Sequence, residues 1–398
     1  MKTRRGSLFA GAARVEITPH APQFLAGYGA RNHPSVGVHD PLNLRALYFR
    51  DLPGTEAAVV SGDILWFGRW MPGRIRELVR EHLGIPHERL LLFCVHDHSA
   101  PGFRNDHGEF REWSEAVAGK VLAAIALAKL RAAPAAFRLA RGRSGIGINR
   151  REKRPDGRIV LGKNPGGPID RELVALAVTV GRKPAAFVAN FACHGVVLGQ
   201  ENYLVSGDWP GNASRLVEKG AGARGSGASA TSPLCGGAPL LILNGGCGNV
   251  NSRIGPQNSF GPVNLLAAEF ARDFRRTIRL SKPLPGGTIA GRERAIRLPA
   301  KKRKKTLRVV LKGLRAGPLI ILGYPGEMFS ETAMAVKAAF PGRAVMVCSY
   351  AEESLSGYIP VREAYPEGGY EVDSSPYAPG GEAVLRRELI ALGRSLLR

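Results

Sequence analysis

The stretch Arg89-Leu-Leu-Leu-Phe-Cys-Val-His-Asp-His-Ser-Ala-Pro-Gly102 decides how the rest of this chain is read. Its run Leu90 to Val95 is apolar and reads as a buried strand, and the polar turn that follows is closed by Pro101-Gly102. His96 and His98 fall at the break. In a continuing strand they would share a face; across a strand-to-loop turn they can diverge, one toward a metal and one toward a substrate. Neutral imidazole is the commonest nitrogen ligand, and its proton affinity suits acid–base work near neutral pH. These residues alone also allow a plain polar turn with two surface histidines.

At 398 residues the chain has room for one large α/β domain or two smaller ones, and a hydrophobic content of 44% supports a sizeable core. No apolar run approaches the about 20 residues needed to cross a bilayer, and Met1 to Ala10 lacks the apolar core of a signal peptide. A soluble, unprocessed, cytoplasmic protein is expected. Cys94, Cys193, Cys235, Cys247 and Cys348 are odd in number and show no CxxC spacing, which argues against a disulfide framework or a thiolate zinc site. A net charge of +23 suits nucleic acid, anionic lipid or acidic substrates, but the arginines that carry it are scattered. The dense run Lys301-Lys-Arg-Lys-Lys305 reads as a solvated hairpin or loop, without the interleaved aromatics that base stacking requires.

Along the chain, strands are expected at 8–19, 43–49, 57–60, 90–95, 135–140, 173–180, 185–192, 239–243, 319–322 and 345–349. Helices are expected at 71–83, 109–131, 212–219, 264–279, 330–340 and 382–397, the second with Trp113, Val117, Val121 and Ile125 as its buried stripe. Residues 151–170 read as a basic, exposed excursion, 220–238 as a flexible insertion, and 356–371 as a long exit loop. The fold class is α/β: a mixed sheet core flanked by helices, with the site at the carboxyl ends of strands. Five apolar strands end in loops that begin with ionisable or amide side chains, namely Asp63, His96 with His98, His194, Asn249 with Asn251, and Glu327. In α/β sheets sites gather outside such strand ends, so these groups converge if the strands are neighbours.

His96, His194 and Glu327 are the nitrogen and oxygen ligands that a catalytic zinc uses, with a position left for water. Zinc lowers the pKa of its water and polarises a carbonyl, which is the chemistry of amide or ester hydrolysis. His98 would then shuttle the proton from the attacking water to the leaving amine. Arg150 and Tyr370 are candidate donors to the developing oxyanion. On the residues alone, Arg150 reads as one more basic surface residue and Tyr370 as a packed loop aromatic.

Six motifs occur in the order seen in the catalytic domain of the neutral/alkaline, non-lysosomal ceramidases. They are Val95-His-Asp-His-Ser-Ala-Pro-Gly102, Asn190-Phe-Ala-Cys-His-Gly195, Ser206-Gly-Asp208, Gly246-Cys-Gly-Asn-Val-Asn251, Pro325-Gly-Glu327, and Gly357-Tyr-Ile-Pro360 followed by Glu367-Gly-Gly-Tyr-Glu371. The chain resembles that family from about residue 8 to 372. The resemblance implies a zinc held by His96, His194, Glu327 and Tyr358, with His98, Arg150 and Tyr370 on the substrate side. Room for a second divalent ion is left open.

Two departures follow from the same comparison. Asn251 stands where these ceramidases carry a catalytic serine, and an amide cannot act as nucleophile, so metal-activated water should attack and Asn251 should serve for positioning. The expectation is also a single catalytic domain over 8–398, without the family's immunoglobulin-like C-terminal domain or secretory leader, which disfavours a long lipid amide at a membrane. The reading is a zinc-dependent hydrolase of the C–N bond of a small or lipid-like N-acyl substrate. A zinc esterase on the same site is the second reading, and a basic protein binding nucleic acid or anionic surfaces the third.

Overall fold

Ten short apolar runs separated by polar, glycine-rich turns become ten of the thirteen strands of two stacked sheets, in a computed structural model that describes residues 8–102, 109–220, 237–302, 305–352 and 357–398. In the larger sheet the order is Leu240–Asn244, Lys183–Phe191, Glu172–Val180, Ala133–Arg143, Leu8–Glu16, Asn43–Arg50, Glu56–Gly62 and Leu90–Cys94, with Lys282–Leu284 added beside Ala133–Arg143. Its two parallel pairs lie at opposite ends, Lys183–Phe191 with Leu240–Asn244 and Glu56–Gly62 with Leu90–Cys94. The smaller sheet runs Ile289–Pro299, Thr306–Ala316, Leu319–Gly323 and Ala344–Cys348, its last pair parallel.

Strands buried on both faces read as continuous apolar runs, and Leu90–Cys94, Leu240–Asn244, Leu319–Gly323 and Ala344–Cys348 are buried along their whole length. Phe49, Leu91, Phe93 and Leu243 of the larger sheet share one core with Leu314, Ile321 and Met346 of the smaller. Helices Met71–Leu83 and Glu109–Leu130 cover one half of the larger sheet's other face through Ile75, Val79, Val117, Val121 and Ile125. Helices Asp208–Lys219 and Phe260–Arg279 cover the other half through Trp209, Val217, Phe270 and Phe274. Ser330–Ala338 and Gly381–Ser395 close the outer face of the smaller sheet with Val336, Leu385 and Leu389. Helix, sheet, sheet and helix therefore stack as four layers, each burying its apolar face on the next.

Sheet twist then places the site. The larger sheet coils until its two parallel pairs meet: Ser61 Oγ donates to the Ile242 carbonyl at 2.7 Å and Asn244 Nδ2 to the Val95 carbonyl at 3.1 Å. Exits that are far apart in strand order, after Cys94 and after Phe191, thereby open at one place.

The basic stretch 151–170, expected as an exposed excursion, contains a hairpin instead. Gly147–Lys153 pairs antiparallel with Ile159–Asn164 on one side and with Val250–Ser252 on the other. Its charges read as a solvated loop, yet Arg151 is buried with Asn149 and Arg150 before it, because the Glu371 carboxylate receives both arginines and the Pro168 carbonyl receives Asn149. The exit loop expected after the last strand holds a short strand, Tyr358–Ile359, parallel to Glu327–Met328, and a short helix, Tyr370–Ser374. The helix expected from Asn212 starts at Asp208, and that expected from Asn264 starts at Phe260. Strand Ile289–Pro299 turns into Thr306–Ala316 at the Lys301–Lys305 hairpin, of which residues 303 and 304 lie outside the described residues, as does the insertion from 221 to 236. Cys94, Cys193, Cys247 and Cys348 are buried and free, and Cys235 lies outside the described residues. Among the described residues no helix is long and apolar enough to cross a membrane.

Candidate metal and active site

His96 follows Val95 directly out of its strand with a left-handed backbone, φ 58°. A non-glycine residue rarely adopts that conformation, and here it turns the imidazole inward. His194 leaves the strand Lys183–Phe191 and is fixed from two sides. Its backbone carbonyl accepts from Trp209 Nε1 at 2.8 Å, and its Nδ1 lies 2.9 Å from the Val250 carbonyl. Trp209 belongs to the Ser206-Gly-Asp-Trp turn, where the Asp208 carboxylate accepts from the backbone N–H groups of Val197 and Leu198. That turn holds the loop carrying His194.

A carbonyl only accepts, so Nδ1 of His194 must carry the hydrogen, and so must Nδ1 of His96, 3.0 Å from the Leu65 carbonyl. Both Nε2 atoms are left with lone pairs. They face the same oxygen, Glu327 Oε2, at 2.8 Å from His194 and 3.7 Å from His96. Burial pushes both imidazoles down to about 3 and raises Glu327 above the usual carboxylate range. Two lone pairs and a carboxylate oxygen aimed at one point favour a shared proton or cation, and Arg150 Nη1 also approaches His194 Nε2 to 3.4 Å. The donor set of two nitrogens and a carboxylate oxygen, each histidine backed by a carbonyl, fits a metal cation. His98 widens the choice: the ring nitrogens of His96, His98 and His194 lie within 4.8 Å of one another.

His98 differs from the other two in having no hydrogen-bond partner on either ring nitrogen. Burial first, then His96, His194 and Arg150, hold it neutral, well below the usual histidine range. Its ring packs edge-on against Tyr28 at 5.0 Å, and its backbone carbonyl accepts from Arg31 Nη1 at 2.6 Å. Gly27 makes this packing possible, because a Cβ there would lie 2.4 Å from the ring and its φ is +92°.

Above these groups opens a cavity of about 750 Å³, lined by His96, His98, Glu327, Tyr358, Tyr370 and Trp66 among others. Arg150 reaches the back of the site from its hairpin. It donates through Nε to Glu371 Oε1 at 2.7 Å and through Nη1 to Asn251 Oδ1 at 3.1 Å, and its guanidinium lies 5.2 and 5.8 Å from the ring centres of Tyr358 and Tyr370. All eight residues singled out in the sequence therefore gather here. Tyr358 is brought beside Glu327 by the parallel strand pair, and its hydroxyl hydrogen-bonds the Glu327 carboxylate.

Two other strand-exit groups turn away. Asp63 accepts from Arg45 Nη1 at 2.8 Å within a buried ion cluster, and Asn249 Oδ1 accepts from the Ser330 N–H at the start of a helix. Sequence reasoning missed Tyr350 and gave Glu371 no role. Tyr350 stacks on His96 at 4.0 Å and 7°, and its hydroxyl lies 3.2 Å from Glu327 Oε2. Its only sequence signal is its place two residues after the apolar run 344–348, the position His96 holds after Cys94.

No protein-family model matches the chain. It is similar to neutral ceramidase A of Dictyostelium discoideum, 25% identical over 237 residues, 54% of this chain and 32% of that protein. Neutral ceramidase B of the same organism is 26% identical over 241 residues, again 54% of this chain and 33% of the relative. The match thus spans about a third of the length of these relatives. In three dimensions the crystal structure of neutral ceramidase from Pseudomonas aeruginosa superimposes with a TM-score of 0.82 over 99% of this chain and 75% of that one, at 18% identity. A ceramidase complexed with C2 does so with the same TM-score over 98% and 75%, at 17% identity. The chain is thus similar to neutral ceramidases in sequence over about half its length and in fold over nearly all of it.

Proposed function

We propose that the chain is a zinc-dependent hydrolase of the C–N bond of an N-acyl substrate, with residues 8–398 as one catalytic unit. The observation that carries the proposal is the meeting of the His96 and His194 Nε2 lone pairs at Glu327 Oε2 on the floor of an open cavity. The similarity to neutral ceramidases supports an amide as the bond cleaved. When bound, zinc would supply a Lewis acid that polarises the substrate carbonyl and makes water more acidic.

His96, His194, Glu327 and Tyr358 would hold the ion. His98, neutral and with both ring nitrogens free, accepts the proton of the attacking water and returns it to the leaving amine. Arg150 and Tyr370 donate to the carbonyl oxygen as it gains charge, Arg150 being fixed for that task by Glu371 and Asn251. Asn251 has no nucleophilic atom, and its amide oxygen is engaged with Arg150, so it positions and does not attack.

Elemental analysis of the purified protein, with turnover of a panel of N-acyl amines differing in acyl length, tests the reading. Zinc at one per chain and its loss in His96→Ala and His194→Ala, together with activity, are expected. Full activity after the metal is stripped would refute it, and cleavage of esters alone would move the assignment to an esterase.

A further inference from the structure

Resting on the metal reading above, we propose that Tyr350 is a positioning residue of the metal centre, an outer hydrogen-bond donor that holds the Glu327 carboxylate in ligating position. Three observations converge on it. Its ring lies flat on His96, 4.0 Å between centroids and 7° between planes. Its hydroxyl lies 3.2 Å from Glu327 Oε2 and 3.3 Å from His194 Nε2, so it touches or stacks on three of the groups that meet at the floor of the cavity. Cys247 Sγ lies 3.1 Å from the same hydroxyl oxygen.

The hydrogen-bond inventory gives that hydroxyl one task. It has a single proton and two acceptors before it, Glu327 Oε2 and His194 Nε2. An ion on His194 takes up the Nε2 lone pair, which leaves the carboxylate as the acceptor. The thiol has its own hydrogen to give, so Cys247 donates to the tyrosine oxygen and turns the phenolic proton toward Glu327. The backbone is arranged for this contact. Tyr350 has φ 57°, in the left-handed region as at His96, and its N–H donates to the Gly326 carbonyl at 3.2 Å, one residue before Glu327. Side chain and main chain of Tyr350 thus grip the segment Gly326-Glu327 together. A position that departs from ordinary backbone geometry and lands on a ligand is the pattern expected of a functional constraint.

Removing an outer partner of a ligand typically lowers metal affinity 10–100-fold while the ligands stay in place. Tyr350→Phe keeps the ring on His96 and deletes only the hydroxyl. The readout is zinc affinity by chelator competition, with stoichiometry by elemental analysis and urea unfolding of the stripped proteins as the control for folding. Tyr350→Phe is expected to bind one zinc per chain with affinity reduced 10–100-fold. Cys247→Ala, which leaves the hydroxyl but removes its orienting partner, is expected to show a smaller loss in the same direction, and it serves as the second variant should Tyr350→Phe unfold. Unchanged affinity in both variants would overturn the proposal. Complete loss of zinc from folded Tyr350→Phe would overturn it in another way, by making Tyr350 a ligand. Wild-type protein that binds no divalent ion would instead refute the metal reading itself, and this inference with it.

Discussion

Replacing Glu371 by glutamine is expected to remove about 3–5 kcal/mol of stability and to lower turnover with it. The Glu371 side chain is 1% exposed and receives Arg150 Nε at 2.7 Å and Arg151 Nη1 at 2.9 Å. With charge centres about 4 Å apart and an effective dielectric near 20, each pair gains roughly 4 kcal/mol of Coulomb energy. Repulsion between the two guanidiniums and the desolvation of all three ions cancel much of that sum. The balance still favours the ions: burial alone would raise the Glu371 carboxyl, yet Arg150 and Arg151 hold it below the usual range. Glutamine has the same shape, so no cavity forms; buried Arg150 loses its paired carboxylate, Arg151 keeps only the half-exposed Glu367 at 3.1 Å, and the amide NH2 faces one of the two arginines donor to donor.

The assay is urea unfolding of metal-stripped protein at pH 7, followed by tryptophan fluorescence. A group whose folded pKa is depressed adds stability that is present above its unfolded value, about 4.3 for Glu, and lost as pH falls through the folded value. The gap between wild type and Glu371→Gln should therefore close in acid. A difference below about 1 kcal/mol at pH 7, or a gap that widens in acid, would refute the reasoning.

Asn251→Ala removes an acceptor from a charged donor at 3.1 Å, a bond worth about 1.5–3 kcal/mol, and should cut turnover tenfold or more while zinc stoichiometry stays at wild-type level; loss of the metal would contradict the assignment. Gly27→Ala places a Cβ 2.4 Å from the His98 ring in a left-handed backbone, so turnover should drop with zinc still bound, and wild-type kinetics in this variant would argue against His98 as the proton carrier. Folded His96 and His194 stay neutral down to about 3, whereas a free histidine protonates near 6.5. As pH falls the unfolded chain takes up these protons first, so metal-stripped protein should lose up to about 1.4 kcal/mol per pH unit for each histidine below about 6.5. Buried Asp97, Asp208 and Glu327 are raised and act in the opposite sense, so the histidine contribution is read as the difference from a His96→Ala, His194→Ala double variant; a difference that stays level from pH 6.5 to 5 would contradict this.

Local pattern alone carried ten of the strands and the chemistry at their ends. Leu90 to Val95 reads as a buried strand, and a histidine straight after such a run sits where backbone pairing stops and a side chain can meet a cleft. His194 and Glu327 were legible for the same reason, and the fold class followed from the alternation of apolar runs with amphipathic helices. Which exits meet depends on long-range packing. Asp63 obeys the same rule as His96, yet it turns to Arg45, because a buried guanidinium within reach outcompetes the cavity. Arg151 opens a stretch whose charges read as solvent-facing, and Arg150 just before it reads on its own as a basic surface residue; Glu371, 221 residues from Arg150, is what lets both be buried. Tyr350 reads as one more apolar side chain after a strand, and it becomes part of the site only because coiling of the larger sheet joins the exits after Cys94 and Phe191 while the smaller sheet, stacked on it, sets the exit after Cys348 against them, the Ser349 N–H donating to the Asn244 carbonyl at 2.9 Å. Periodicity records the face each residue shows to its own strand, whereas closure of a coiled sheet joins residues 100 to 250 positions apart, and no local pattern in the chain carries that distance.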